Sequence, residues 1–228
     1  MKKILTVGLI LAAVLSLGFM GCKNNADELP GTWTKTIEDF RQDTKTAFGT
    51  GTVTFSDQTC TFEVNQPANI TNSTTLTVNH YRSSIFTVSD DDKFTGFKAT
   101  VESNAEGGCG LIFNQSNNGD IWSFYEIYFD PAGWFIIYQV IDDVSTKIKD
   151  WTENAIVKTL TDGSKINVLV YTAKDGTIIV KFNDIEVATI KSPVLKSGRV
   201  GVVNCVGYAD VQRDTPIKTV FTFKEFQY

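Results

Sequence analysis

The chain is poor in histidine, proline and basic residues, and each shortage excludes a class of protein. Lys and Arg total 21 against 26 Asp and Glu, which gives a formal net charge of −5 at pH 7, so the chain lacks the positive surface that nucleic-acid binding needs. The single histidine, His80, and the lack of Cys-x-x-Cys spacing argue against a structural zinc site. Five prolines in 228 residues, with 42% hydrophobic residues, exclude disordered and collagen-like chains.

A short basic and apolar segment opens the chain. Two lysines precede an almost wholly apolar stretch, 4–20, which is short for a membrane-spanning helix and ends at Gly21-Cys22. A small residue directly before a cysteine at this point resembles the signal peptide of bacterial lipoproteins, and Phe19-Met20 resembles the relaxed signals of spirochaetes. The resemblance implies cleavage before Cys22 and acylation of its sulfur. A plain cleaved signal or an uncleaved anchor is the alternative.

These features predict a signal peptide at 1–21, a solvated tether at 22–30 and a single domain at 31–228. We expect an exported protein held on the cell envelope, in the outer membrane or at the cell surface. Lipid would be the only anchor, because no later segment reaches transmembrane length. After processing, an odd number of cysteines remains, and the sequence leaves their pairing open: Cys60, Cys109 and Cys205.

Apolar and polar residues alternate along most of the chain, which predicts β-strands. Segments such as 97–101 and 166–171 alternate cleanly and are rich in Val, Ile, Thr and aromatic residues. Turn sequences such as 130–133 and 196–198 separate them at short intervals. About twelve short strands with little or no helix predict an all-β protein, either a two-sheet antiparallel sandwich or a barrel. Gly31-Thr32-Trp33 resembles the Gly-x-Trp signature of lipocalins, which would favour a barrel.

The second half of the chain carries a longer resemblance. Characteristic stretches follow one another in the order 109–114, 122–129, 133–138, 166–170, 175–184, 195–203 and 221–226. In this order they resemble the concanavalin A-like lectin/glucanase superfamily, including its laminin-G-like and keto-glycoside-hydrolase-like branches, although Asp184 stands where glycine is common. The resemblance implies a jelly-roll sandwich whose concave sheet is the usual glycan surface. A shared fold does not specify an activity.

Aromatic residues make up 12% of the chain, and many of them lie on one predicted hairpin. With Asp130 and Gly133 in the turn, the register sets Glu126 opposite Tyr138. One face of this hairpin is then typical of core, whereas the other carries aromatic rings with polar tips around one carboxylate, a composition that suits sugar rings. The predicted ligand-binding residues are Trp122, Glu126, Tyr128, Trp134 and Tyr138. The alternative is that both faces of the hairpin are buried.

Two acidic patterns bear on catalysis and metal binding. Glycosidases need two carboxylates close together, and the stretch 126–130 resembles the Glu-x-Asp-x-Glu strand of laminarinase-type relatives, except that Tyr128 replaces the middle acid. Glu126 is the one residue considered for catalysis, and no catalytic set is predicted. The candidate calcium ligands are Asp90, Asp91 and Asp92, with a solvated loop as the alternative, and no other cofactor is expected.

The sequence therefore predicts a lipid-anchored envelope protein that binds a glycan or envelope polysaccharide and has no catalytic activity. Two alternatives remain open. One is a protein-binding adhesin or envelope interaction module, and the other is a glycoside hydrolase of the same fold. The oligomeric state is not specified by the sequence.

Overall fold

The computed structural model describes residues 32–36, 50–66, 80–87, 93–105, 107–206 and 217–228. Several predicted features lie outside these described residues: the signal peptide and tether with Cys22, the aspartates Asp90, Asp91 and Asp92, and the predicted strand 75–78. For these features the sequence-based predictions stand as predictions.

The described residues form fourteen strands in two sheets, which we call the front sheet and the back sheet. The front sheet contains β1 (Thr32–Thr36), β4 (His80–Thr87), β6 (Cys109–Asn118), β7 (Ile121–Asp130), β8 (Trp134–Ile141), β9 (Val144–Glu153) and β13 (Arg199–Val206). The back sheet contains β2 (Thr50–Ser56), β3 (Thr59–Gln66), β5 (Gly96–Ser103), β10 (Ile166–Thr172), β11 (Ile178–Phe182), β12 (Ile185–Ile190) and β14 (Ile217–Gln227). One short helix, α1 (Ala155–Lys158), leads into a 3₁₀ turn at Thr159–Asp162 between β9 and β10.

All neighbouring strands are antiparallel. The front sheet has the order β1-β4-β13-β6-β7-β8-β9, and the back sheet has the order β12-β11-β10-β5-β14-β3-β2. This is a two-sheet jelly-roll sandwich, so the predicted fold class is confirmed. The lipocalin-like barrel that Gly31-Thr32-Trp33 suggested is not formed, because the described strands divide into two separate sheets.

The core lies between the sheets and is strongly aromatic. Phe182 of the back sheet packs against Phe129 and Phe135 of the front sheet, with ring centroids 5.3 and 5.0 Å apart. Tyr125 is fully buried, and its hydroxyl accepts hydrogen bonds from the backbone N–H groups of Val194 and Leu195, at 2.9 and 3.2 Å. The core thus uses most of the phenylalanines and also satisfies the polar tip of its buried tyrosine.

The alternating segments give the strands that the sequence predicts, and β11 and β12 have the predicted bounds. Three strands are not predicted: β1, β4 and β9. The most consequential is β9, the edge strand of the front sheet next to β8, because it brings Trp151 and a lysine–aspartate pair to the predicted site. Its sequence, VSTKIKDWTE, carries charged residues on both faces, so it lacks the apolar alternation of a half-buried strand.

Candidate functional site

The hairpin formed by β7 and β8 has the register that its turn sequence predicts. Gly133, at a φ of 107°, closes the turn by donating its N–H to the carbonyl of Asp130 at 2.9 Å, and Asp130 Oδ1 accepts the N–H of Ala132 at 2.8 Å. Glu126 consequently lies opposite Tyr138, as predicted. The turn therefore fixes which side chains share each face of the hairpin.

The two faces of this hairpin differ as expected. The inner face is part of the sandwich core, with Tyr125, Ile127, Phe129, Phe135 and Ile137 at 0–1% exposure. The outer face carries Glu126, Tyr128, Trp134, Ile136 and Tyr138, of which Tyr128, Ile136 and Tyr138 pack together with Val203 of β13. The outer face of the front sheet is therefore a partly open surface with its own small apolar cluster.

The predicted ligand-binding residues form a line along the hairpin. Trp122 stands near the start of β7, whereas Trp134 lies opposite Asp130 at the other end of that strand. Eight residues at ~3.3 Å per residue separate the two positions by roughly 26 Å. Glu126 and Tyr138 lie between them, so the two tryptophans cannot stack on one sugar ring.

Tyr128 is a supporting residue of this surface. It was predicted to stack against a ligand, but it is only 8% exposed, and its hydroxyl donates a hydrogen bond to the carbonyl of Gly107. Trp151 of β9 packs edge-on against it, with ring centroids 6.2 Å apart and an interplanar angle of 81°. The exposed rings at this end are therefore Trp134 and Trp151, each 40% exposed.

Trp151 is a residue of this surface that the sequence pattern does not predict. It follows the charged stretch Lys147–Asp150, and no turn sequence or clean alternation places it on the same face as Trp134. The pairing of β8 with β9 brings the two tryptophans to the same end of the sheet, because Trp134 lies opposite Glu153, two residues beyond Trp151 on the neighbouring strand. The only available signal was its residue type, because an exposed tryptophan is uncommon away from binding surfaces.

Charged groups surround Tyr138 in the middle of the surface. Burial is the main cause that raises the pKa of the Tyr138 phenol, the negative charges of Glu126 and Asp150 raise it further, and the positive charge of Lys147 opposes them. Lys147 Nζ and Asp150 Oδ1 form an ion pair at 3.0 Å. Tyr138 therefore keeps its proton at neutral pH and is able both to donate and to accept a hydrogen bond.

The position of the Glu126 carboxylate depends on a neighbouring glycine. A Cβ atom added at Gly110 of β6 would lie 2.7 Å from the carbonyl oxygen of Ile127, 2.9 Å from Val203 Cγ1 and 3.3 Å from Glu126 Oε1. Gly110 thus leaves the space into which the valine methyl and the carboxylate oxygen converge. Any side chain at this position would displace them.

The outer face of the back sheet has a different composition. It carries exposed or half-exposed ion pairs, Lys98 with Glu225 at 2.8 Å and Lys165 with Glu102 at 3.1 Å. Alternating charges of this kind are typical of a solvated sheet face. Among the described residues, exposed tryptophans beside a partly buried carboxylate occur on the front sheet alone.

The geometry does not favour catalysis by Glu126 and Asp130. These residues lie four positions apart on β7, roughly 13 Å at ~3.3 Å per residue, beyond the ~9.5 Å that glycosidase carboxylate pairs span. Asp130 is also engaged in the hairpin turn. The strand therefore does not supply the second acid that hydrolysis would require.

The described residues contain no group of three or more His, Cys, Asp or Glu side chains placed to hold a metal ion. Asp142 and Asp143 occupy the two left-handed positions of the tight turn between β8 and β9, with φ of 51° and 63°. Their carboxylates bond to neighbouring groups of β7, where Trp122 N–H donates to Asp143 Oδ1 at 3.0 Å. These two acids are thus explained by the turn. In the part of the chain that the structure describes, no helix is both long and apolar enough to cross a membrane.

Several solved structures share the fold of this chain. The chain is similar to a β-glucanase of Bacillus licheniformis, at 10% identity and a TM-score of 0.54 over 86% of this chain and 92% of that chain. It is also similar in fold to a β-1,3-1,4-glucanase (lichenase) from a mouse hindgut metagenome, at 10% identity and a TM-score of 0.52 over 86% of this chain and 92% of that chain. A native glycosidic hydrolase gives 10% identity and 0.53 over 85% and 89%. No protein-family model and no curated protein matches the chain.

Proposed function

We propose that the chain is a carbohydrate-binding protein whose ligand lies on the outer face of the front sheet. One observation carries the proposal: Trp134 and Trp151, each 40% exposed, lie at one end of an outer face whose middle holds the partly buried pair Glu126 and Tyr138. The apolar faces of sugar rings stack on such indoles, and sugar hydroxyls donate to a carboxylate or exchange hydrogen bonds with a phenol. The glucanases with a similar fold act on polysaccharides, which supports this choice of ligand class.

The arrangement favours an extended neutral chain over a single sugar. Exposed aromatic rings lie at one end of the surface and Trp122 at the other, with the polar pair between them. An acidic polysaccharide would be repelled by Glu126 and by the negative net charge of the protein. The ligand would therefore be a neutral oligosaccharide that contacts several positions along β7 and β8.

A direct test measures binding of the purified full-length chain to mixed-linkage β-1,3-1,4-glucan, laminarin, xylan and the acidic polymer pectate by titration calorimetry. We expect binding to at least one neutral polymer. Trp134→Ala and Trp151→Ala should each weaken it by roughly 5- to 30-fold, the effect of truncating an important contact residue by about 1–2 kcal/mol. Tyr171→Ala, on the outer face of the back sheet, is the matched control and should bind like the wild type.

Two results would contradict the proposal. One is a wild-type chain that binds none of the neutral polymers. The other is a Trp134→Ala, Trp151→Ala double variant that retains wild-type affinity while remaining folded. Stronger binding to pectate than to the neutral polymers would refute the preference for neutral glycans.

Glycoside hydrolysis is a second candidate function, and one observation favours it. Glu126 lies opposite Tyr138 on β7, and Lys147, which lies opposite Tyr138 on β9, forms an ion pair with Asp150, so one carboxylate lies on each side of Tyr138. The hydrogen bond from Lys147 holds the pKa of Asp150 below its ordinary range, which keeps it ionised. Release of reducing ends from mixed-linkage β-glucan, abolished in Glu126→Gln, would establish hydrolysis. Binding without turnover would establish a binding protein.

We further propose that lipid attached to Cys22 anchors the protein to the cell envelope, with 31–228 as a single domain. The support is the sequence alone: an apolar segment that ends at Gly21-Cys22 and is followed by a polar run. Two or three acyl chains would give nearly irreversible attachment, because each buried methylene contributes ~0.8 kcal/mol. Labelling with radioactive palmitate should be lost in Cys22→Ser, and the variant should leave the membrane fraction. Label retained in that variant would contradict the proposal.

A further inference from the structure

A buried glutamine on the front sheet has no hydrogen-bond partner for its side chain among the described residues. Gln115 of β6 is 1% exposed, and neither its Nε2 nor its Oε1 bonds to any of the described residues. Burying an amide without partners is unfavourable, because both polar groups lose water and gain nothing in return. Buried polar atoms in folded proteins are nearly always hydrogen-bonded, so this residue requires an explanation.

The register places Gln115 on the face that carries the proposed site. It lies opposite Arg199 of β13, and the next residue, Val200, points into the core. Alternation therefore directs Arg199, and Gln115 with it, to the outer face. Along β6, Ile112 is opposite Glu126, and Gln115 is the next outward-facing position, after a bulge at Asn114.

The neighbours of Gln115 are committed to other partners. The guanidinium of Arg199 donates to Asn117 Oδ1, and Asn114 donates from Nδ2 to the carbonyl of Leu195 at 3.0 Å. The bulge between Phe113 and Ser116 releases this part of β6 from regular pairing with β7. The Gln115 amide therefore lies at the outer face and makes no hydrogen bond to the described residues that would stabilise the fold.

Resting on the proposed function, we propose that Gln115 is a ligand-binding residue of the same surface and recognises two adjacent hydroxyls of a neutral sugar. Its N–H₂ would donate to one hydroxyl, and its carbonyl would accept from the other. A sugar carboxylate fits this position poorly, because it would oppose the Gln115 carbonyl and share the face with Glu126. The amide is buried in the free chain, so the side chains around it must move aside for the ligand to reach it.

The proposal predicts opposite effects on stability and on binding. Gln115→Met keeps the length of the side chain and removes the unpartnered amide. It should raise the midpoint of thermal unfolding by about 2–4 °C, the shift expected when a chain of this size loses one such unfavourable burial. The same variant should bind mixed-linkage β-1,3-1,4-glucan or laminarin about tenfold more weakly, because two neutral hydrogen bonds to the ligand are lost.

The matched control is Gln139→Met on β8. This glutamine is half-buried and lies opposite Tyr125, so the same substitution leaves the outer face unchanged. It should alter neither the unfolding midpoint nor the affinity for the glucan. Both variants are compared with the wild type in full-length protein, by differential scanning calorimetry and by titration calorimetry with the same two glucans.

The outcomes separate the two proposals. If the wild type binds neither glucan, the proposed function and the role of Gln115 both fall. If the wild type binds and Gln115→Met binds equally well, only the role of Gln115 falls. A midpoint that does not rise in Gln115→Met also overturns it, because ordered water or protein groups would then satisfy the amide in the free chain. A raised midpoint with about tenfold weaker binding supports it.

Discussion

The substitution Gly110→Ala tests how closely the fold positions the candidate site. The added methyl would lie 2.7 Å from the Ile127 carbonyl oxygen and 2.9 Å from Val203 Cγ1, so backbone on one side and a packed methyl on the other must shift. Overpacking of this kind costs ~1–3 kcal/mol, and alanine recovers ~0.5–1 kcal/mol of the conformational entropy that glycine loses on folding. We expect a net loss of about 1–2 kcal/mol, which lowers the midpoint of thermal unfolding by about 2–8 °C.

The same methyl acts on the site, because it would lie 3.3 Å from Glu126 Oε1 and push the carboxylate by a few tenths of an ångström. Glucan binding should therefore weaken together with stability. Gly119→Ala is the control: its φ of 61° makes alanine unfavourable by ~1 kcal/mol, but nothing lies within 4 Å of the added methyl. Unfolding by urea and glucan titration are measured for both variants. If Gly110→Ala is no less stable than wild type, or if both variants bind equally, the close packing at Gly110 does not position Glu126.

Three further predictions concern stability. Tyr128→Phe removes the hydroxyl that donates to the Gly107 carbonyl and should cost about 1 kcal/mol in urea unfolding; an unchanged midpoint would mean that this bond contributes nothing. Asp184→Gly should stabilise the chain by about 0.5–1 kcal/mol in the same assay, because its φ of 69° in a tight turn after an asparagine favours glycine, and a loss of stability would contradict this. The pKa of Asp150 lies below its ordinary value of 3.8, first because the Lys147 side chain donates a hydrogen bond to it, so the folded state favours the ionised carboxylate. The Asp150 carboxylate therefore stabilises the fold at pH values above its ordinary pKa, and this stabilisation is lost as the pH falls through the lowered pKa of the folded state. Asp150→Asn should thus be less stable than wild type at pH 7 and approach it in acid, and a difference that is constant with pH would refute the assignment.

The hairpin at the centre of the site could be predicted because its turn carries strong local information. Proline and glycine at fixed positions, with an aspartate before them, specify a three-residue loop, and the loop length sets the register of both strands. From that register, alternation gives the core face and the outer face. The pairing of Glu126 with Tyr138 follows directly from the sequence for this reason.

Contacts between elements far apart in the chain could not be predicted in this way. Tyr128 alternates like a surface residue, yet Gly107, 21 residues earlier, accepts its hydroxyl hydrogen bond, and Trp151 of β9, two strands later, packs edge-on against its ring. Nor does any local pattern indicate that Gln115 is buried without a partner among the described residues, since a glutamine in a polar stretch is expected to be exposed. Burial of this kind depends on neighbouring strands, which a single sequence does not specify.

The order of the strands has a consequence for how the chain is made. β14 lies between β5 and β3 in the back sheet, and β13 lies between β4 and β6 in the front sheet, so both sheets are open at their centres until residues 199–227 have been synthesised. Earlier strands emerge from the ribosome with unpaired edges and without the partners that bury their apolar faces. Folding must then join residues more than a hundred positions apart, which is slow. A nascent chain of this topology therefore completes neither sheet until its last strands have been made, so the sandwich closes only after 199–227 have left the ribosome.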